Sequence, residues 1–454
     1  MTALGGMGVV RLVLQALLTG AVAGFVIGAF RMAYTWLNST SSAHVSQKIA
    51  PFSDMSAPWH TLAVLFGALT ALGLAGWWLL RRVPLISGSG IPQVELVLAG
   101  RLPAFSWWRV LAAKFVGTLI SLTGWLSVGR EGPCIQMGAC VGAGVGRLWH
   151  REHEAMSARS LIGGCVAGMT AAFGAPMAGM AFAFEEMRTP LSPPLVLFCA
   201  VAAVAAELVV SRVLQLGLVF PFGDLAPAAM WDLLWLAPLC GLAMGVFGAG
   251  YNALLMGLTL LGDRVFPKTP WAQCLRVLLA FWLAGVLVCL YPSVIVGLGP
   301  GIVDQAGLAL SWPLLALLLL LACKVLFSCL SFASTVAGGL LMPMLGVGAL
   351  CGACLHSGLA ASVAGSGSAL LSLPAPGLTL TLCMAALFAA TVRAPLTGAA
   401  LLLEMTGAWH TPLLIPAVVT TAYVAAFTAN ACKSEPVYDS LKRRILKNVS
   451  NNLK

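Results

Sequence analysis

Long apolar runs alternate with short polar interruptions along this chain, and the runs are of membrane-spanning length. Stretches 12–30, 61–80, 233–262, 277–303, 305–323 and 405–432 contain no Asp, Glu, Lys or Arg. About 20 apolar residues suffice for a helix to cross the hydrocarbon core. The longest uncharged run, Val325 to Val392, covers 68 residues, enough for two or three crossings. The pattern predicts an all-α polytopic membrane protein. The first run follows Arg11 and contains Ala21-Val22-Ala23, which mimics a signal-peptidase site. With so many spans after it, it is read as a retained helix.

Composition narrows the function classes. Charged residues make up 9% of the chain, against about 25% in an ordinary globular domain. Apolar residues make up 60%, and the mean hydropathy is +0.95. A cytosolic enzyme, a disordered chain and a disulfide-rich secreted domain are excluded. The net charge of +10 is concentrated partly in the tail, at Lys442, Arg443, Arg444, Lys447 and Lys454. Basic clusters flank spanning helices on the cytoplasmic side, so a cytoplasmic C-terminus is expected. No segment offers a basic face interleaved with aromatic or polar groups, so nucleic acid is not an expected partner. The 13 cysteines sit almost entirely in apolar runs and read as small packing residues. Cys351 and Cys354 form a C-x-x-C without a second pair, so no metal site is expected. An intramembrane enzyme would need paired aspartates in spans or a His-Glu-x-x-His. Asp54, Asp224, Asp232, Asp263, Asp304 and Asp439 fall mostly between spans, and no such histidine motif occurs.

Glycine and proline punctuate the apolar runs in clusters that break helices at membrane depth. Such breaks are tolerated only where they are buried in protein or line a water-filled cavity. They also repeat. Lys114, Gly129, Pro133 and Gly138 are matched by Lys324, Gly339, Pro343 and Gly348 at an offset of 210. Ala175-Pro176-x-x-Gly179 ending in Glu185 is matched by Ala394-Pro395-x-x-Gly398 ending in Glu404. A two-repeat transporter follows, with its site at the repeat interface. The division is residues 1–220 for the first repeat, 221–432 for the second, and 433–454 for a C-terminal helix and basic tail.

Three breaks read as helix N-termini aimed at one place: Gly88-Ser89-Gly90-Ile91-Pro92, Gly129-Arg130-Glu131-Gly132-Pro133 and Gly338-Gly339-Leu340-Leu341-Met342-Pro343. Proline suits the first helical turn, where its missing N–H is no loss. The glycines let the backbone turn and present bare N–H groups. Each helix end carries roughly half a positive charge, a ready anion site. Ser89 adds a hydroxyl donor. Glu131 sits among those donors, where its carboxylate can act as an anion mimic released by protonation; the alternative is an ion pair with Arg130. Glu186 is an intramembrane carboxylate and hence a functional candidate; the alternative is a solvated or paired group at a helix end. Glu185, echoed by Glu404, reads as structural. Glu95 fits packing or hydration equally. Tyr438 is a donor or an interfacial belt residue, Lys114 a neutraliser of carboxylates or helix C-termini, and His356 a hydrogen-bonded packing residue.

These motifs, in this order and spacing, resemble the CLC chloride channel and transporter family, as do Glu185-Glu186-Met187-Arg188 and Pro436-Val437-Tyr438. The resemblance covers about residues 10–440. It implies about eighteen helices in two inverted repeats, and a homodimer in the lipid bilayer with one pathway per subunit. It implies chloride bound by the Ser89 and Tyr438 hydroxyls, by Gly90, and by the backbone N–H groups of Leu340 and Leu341. An outer site near Arg130 and Glu131, the gating role of Glu131 and inner proton transfer by Glu186 are implied likewise. Bound chloride ions, and no other cofactor, are expected. The function implied is chloride/proton exchange in a bacterial inner membrane; a passive voltage- or pH-gated chloride channel of the same fold is the alternative. A fluoride-selective relative is disfavoured by Ser89 and Tyr438. The family's usual aromatic in the third break is Leu341 here, which spares the backbone donors but alters any gate that a ring would form. Sixteen residues follow Tyr438, so appended nucleotide-binding domains are not expected.

Overall fold

The computed structural model of the protein describes residues 6–49, 59–149, 157–188, 190, 192–217, 230–290, 312–366 and 375–452. Sixteen α-helices occur among them. The first eight are α1 (Gly6–Ile49), α2 (Trp59–Arg82), α3 (Ile91–Leu98), α4 (Trp107–Thr123), α5 (Glu131–Trp149), α6 (Ala158–Phe173), α7 (Pro176–Glu185) and α8 (Pro193–Leu208). The second eight are α9 (Met230–Val265), α10 (Pro270–Leu290), α11 (Leu314–Ala333), α12 (Leu341–Ser366), α13 (Pro376–Val392), α14 (Pro395–Met405), α15 (Leu414–Ala431) and α16 (Val437–Asn452). Eight of the helices are long and apolar enough to cross a membrane. The sequence boundary at 220/221 and residues 291–311 lie outside the described residues.

Repetition in the sequence becomes inverted repetition in space. α7 and α14, equivalent in the two halves, lie side by side, and each closes with a carboxylate on the other's first turn. Glu185 accepts from the N–H of Leu396 (2.9 Å) and Thr397 (2.7 Å). Glu404 accepts from the N–H of Met177 (2.9 Å) and Ala178 (2.8 Å). End capping start in both directions requires the pair to run antiparallel. α2 and α10 are also antiparallel: Gly73 packs on Phe281, Gly285 on Phe66, and Trp282 Nε1 donates to Thr70 Oγ1 at 2.9 Å. Equivalent helices pointing in opposite directions are inverted repeats.

Small residues set the closest helix approaches. Gly138 and Gly142 of α5 lie against the backbone of Gly164, Gly168 and Ser160 in α6. In the second repeat Gly348 and Gly352 of α12 lie against Cys383, Met384, Thr379 and Leu380 of α13. Apolar association gains little in lipid, so packing of this kind holds such bundles together. The outer surface is apolar, with Phe25, Val64, Leu315 and Leu319 exposed. Trp59 and Trp271 project at the starts of α2 and α10, which are opposite ends of an antiparallel pair. They occupy the two interfacial belts.

Candidate anion and proton site

The three breaks meet at one point. The backbone of the first is stitched to the third, Gly88 N–H donating to Val336 O (3.0 Å) and Gly338 N–H to Gly88 O (3.0 Å). The second is stitched to the third by reciprocal bonds between Gly129 and Gly339, at 2.7 and 2.6 Å. α3, α5 and α12 therefore start within a single knot of backbone, as the motifs predict. Proline lies within the first three residues of each: Pro92, Pro133 and Pro343. Gly90 caps α3 at φ +91°, a left-handed conformation that costs a side-chain-bearing residue dearly. A Cβ there would also strike the Gln136 amide, whose nitrogen donates to Leu85 O at 2.9 Å.

Lys114 is fully buried and donates to Ile86 O (2.8 Å) and Gly88 O (2.6 Å). It satisfies carbonyls at the first break, where carboxylates or helix C-termini were expected as its partners, and no carboxylate pairs with it among the described residues.

Glu131 is completely buried at the first turn of α5. Arg130 Nε lies 3.3 Å from its Oε1, so the ion pair foreseen as the alternative to an anion mimic is present. The pair uses one oxygen only: Oε2 has no hydrogen-bond partner among the described residues. That oxygen lies over the start of α12: a Cβ placed on Gly129 would be 2.7 Å from it and 3.0 Å from Met342 N. The carboxylate occupies the spot where the positive ends of α5 and α12 converge. Arg130 is held from the other side by the Tyr34 ring, 5.6 Å from its guanidinium. Sequence reading missed Tyr34, since a lone tyrosine in an apolar run carries no signal.

Ser89 and Tyr438 are both buried, and their side chains lie together. Neither hydroxyl has a hydrogen-bond partner among the described residues. Buried hydroxyls ordinarily find partners, so two such groups lying together are free to donate to a ligand that accepts hydrogen bonds. Ser89 Oγ also abuts Gly132, in the first turn of α5. Leu341 begins α12 and Leu340 precedes it, and both are buried. A cleft of about 580 Å³ leads away from Ser89 to a mouth bearing Lys268, Arg276, Asp263 and Arg444. There Asp263 binds Arg276 (2.8 Å) and Arg444 (2.6 and 2.7 Å), tying α9 and α10 to α16. Sequence reading had set Asp263 aside as a residue between spans.

Glu186 ends α7 and is buried, which removes the solvated alternative. It lies against Glu95 of α3, and Glu95 is ion-paired with Lys442 of α16. Lys442 also binds Asp439 at 2.7 Å, and Asp439 binds Arg188 at 2.9 Å. Glu95 thus has a polar role rather than a packing one. Burial pushes the Asp439 carboxyl up, but hydrogen bonds from Lys442 and Arg188 outweigh it and hold the group below the usual aspartate range. His356 is buried, as a packing residue would be, and its Nδ1 has no hydrogen-bond partner among the described residues. No group of three His, Cys, Asp or Glu suited to a metal occurs among the described residues.

Comparison with known proteins agrees with this geometry. Residues 71–427 match the model of the family described as Voltage gated chloride channel. The chain is 34% identical to the H(+)/Cl(-) exchange transporter ClcA of Cronobacter sakazakii, covering 96% of this chain and 90% of that one. Its structure superposes on a slow cyanobacterial Cl-/H+ antiporter with a TM-score of 0.84 and 28% identity, covering 96% and 98% of the two chains. A CLC-type fluoride/proton antiporter shares the fold, with a TM-score of 0.71 at 20% identity over 96% and 98% of the chains. With the family model spanning most of the chain and its motifs knotted into one site, this protein is a member of the CLC family.

Proposed function

We propose that the protein exchanges chloride for protons across a bilayer. The observation that carries this reading is the fully buried Glu131 carboxylate at the meeting of two helix N-termini, beside two unpartnered buried hydroxyls. Chloride rests between Ser89 and Tyr438 and on the first amides of α12, from Leu340 and Leu341, with Gly90 opening the approach at α3. Partial charges and hydroxyls hold it without a full cation, so it binds weakly enough to leave. Glu131 competes for the outer position beside Arg130. As a carboxylate it plugs that position; protonated, it loses its attraction to the helix ends and gives way to chloride. Because the same group blocks the anion and carries the proton, the two movements are linked. Glu186 passes the proton to the opposite side.

The functional unit is a homodimer with one pathway per subunit. α7 and α14 have 10 and 11 residues, which at 1.5 Å per residue reach about 16 Å, half a bilayer. Their ends cannot face lipid. Exposed Met177, Leu396, Val204 and Leu413 on α7, α8 and α14–α15 supply an apolar face for a second copy. The basic tail on α16 supports a cytoplasmic C-terminus, with the protein in a bacterial inner membrane.

Purified protein in liposomes under a chloride gradient tests the reading, with chloride and protons followed together. Uphill proton movement driven by chloride is expected. Glu131→Gln, which mimics the protonated gate, keeps chloride flux and loses proton movement. Chloride flux without proton movement in the wild type makes the protein a channel of the same fold, with Leu341 the first position to examine. A molecular mass in detergent corresponding to one copy contradicts the dimer.

A further inference from the structure

Five ionisable side chains form a line from the surface at α16 to the buried end of α7. Side-chain exposure falls along it, from 59% at Arg188 to 29% at Asp439, 19% at Lys442 and 7% at Glu95. Glu186, at the inner end, is 4% exposed. Arg188 binds Asp439 at 2.9 Å, Asp439 binds Lys442 at 2.7 Å and Lys442 binds Glu95. Glu186 lies beside Glu95, neither of whose carboxylate oxygens has a hydrogen-bond partner among the described residues apart from that ion pair. Glu95 also faces Cys165 of α6 and the Tyr438 phenol of α16. None of the line's charged groups hydrogen-bonds the Ser89 or Tyr438 hydroxyl.

Charge counting gives the line a use. Glu95 and Glu186 are two buried carboxylates side by side, and adjacent like charges in a dry site cannot both be ionised cheaply. One ammonium, Lys442, faces them, and Asp439 draws on that same ammonium. The neutral arrangement of the inner pair with Lys442 holds one proton, and that proton has two equivalent seats. Asp439 and Lys442, both part exposed, form the water-facing edge of this group.

We propose that Glu95 is a proton-transfer residue of this chain, linking Glu186 to the α16 side of the membrane, with Lys442 as the positioning residue. A proton from the water around the part-exposed Asp439 and Lys442 passes to the Glu95 carboxylate. The Glu95 O–H then donates to the Glu186 carboxylate, leaving Glu95 ionised against Lys442, which stays an ammonium throughout. One proton is taken up and one handed on, and the steps reverse for release.

This rests on the exchange reading, so coupled flux in wild-type liposomes is measured first; its absence sinks that reading and this one with it, whereas the variants below bear on this one alone. In the coupled protein, Glu95→Gln keeps the shape and removes the proton seat. Proton flux is expected to fall about fivefold or more while chloride flux stays within about twofold. Lys442→Met lowers proton flux selectively and Lys442→Arg restores it. Lys447→Gln, an exposed charge loss on the same helix, leaves both fluxes as in the wild type. Wild-type proton flux in Glu95→Gln overturns the proposal. So does an equal fall of proton flux in Lys447→Gln and Lys442→Met, which reduces the effect to bulk charge. Should Glu95→Gln not yield dimeric protein, part-exposed Asp439→Asn carries the test: proton flux falling with chloride binding intact by calorimetry supports it, and unchanged proton flux overturns it.

Discussion

Gly132 shows how little room the anion site leaves. Its hydrogen faces Ser89 Oγ so closely that a Cβ there would overlap the hydroxyl. Gly132→Ala must therefore push Ser89 off its position at the start of α5. A loss of about 1.4 kcal/mol in binding, or tenfold in chloride affinity by titration calorimetry, is expected. Gly67→Ala, with no atom within 4 Å of its Cβ, is the matched control and stays at wild-type affinity. At this scale the sequence was informative about Ser89 and Glu131, because a hydroxyl or carboxylate beside a helix-breaking glycine has a local chemical meaning, whereas Tyr438, with no glycine near it, was marked only by the family resemblance. It said nothing of Lys442, which reads as one more basic residue of a tail until its ammonium is seen on Glu95.

Among the elements, α7 and α14 are the least able to stand alone, being short and breached by a proline at each start. Their stability depends on the reciprocal carboxylate caps. Glu404→Gln keeps the size but gives up a charge-assisted contact to two amides at a helix N-terminus. It should cost about 1–2 kcal/mol, read as a lowered unfolding midpoint in detergent, with chloride affinity at the Ser89 site unchanged. An unchanged midpoint would mean that the partner helix, not the cap, holds the turn. The Ala-Pro-x-x-Gly…Glu echo made the two elements recognisable in sequence. That each glutamate serves the other repeat rather than its own is a consequence of the inversion.

The whole molecule is closed by α16, whose contacts reach α3, the end of α7, and the α9–α10 corner through Glu95, Arg188 and Asp263. The Asp439 carboxyl lies below its ordinary value because Lys442 and Arg188 bind its charged form more strongly than burial opposes it. A carboxyl depressed in the folded state contributes stability that is complete above its unfolded value of about 3.9. That contribution is lost as pH falls through the lower folded value. A spin label at position 447 should therefore keep its wild-type immobilisation from pH 7 to about 4 and gain mobility only below that. Asp439→Asn should show the added mobility at pH 7; no difference between the two would take Asp439 out of the docking of α16.

Apolar run length and the scarcity of charge determined by themselves that this chain lies in a bilayer, since no aqueous surface could be made from 9% charged residues. Gly and Pro spacing determined where helices break, because φ freedom and a missing N–H act within a few residues of chain. The duplication was legible for the same reason: identical local requirements recur in the same order. What only the tertiary structure decided are contacts between distant segments. These include the Gly129–Gly339 stitch, the antiparallel sense of the repeats, the orphan hydroxyls of Ser89 and Tyr438 lying together, and the line from Arg188 to Glu186. Each joins residues far apart in the chain, and whether a buried charge is paired, shared or left open depends on neighbours that local propensity does not specify.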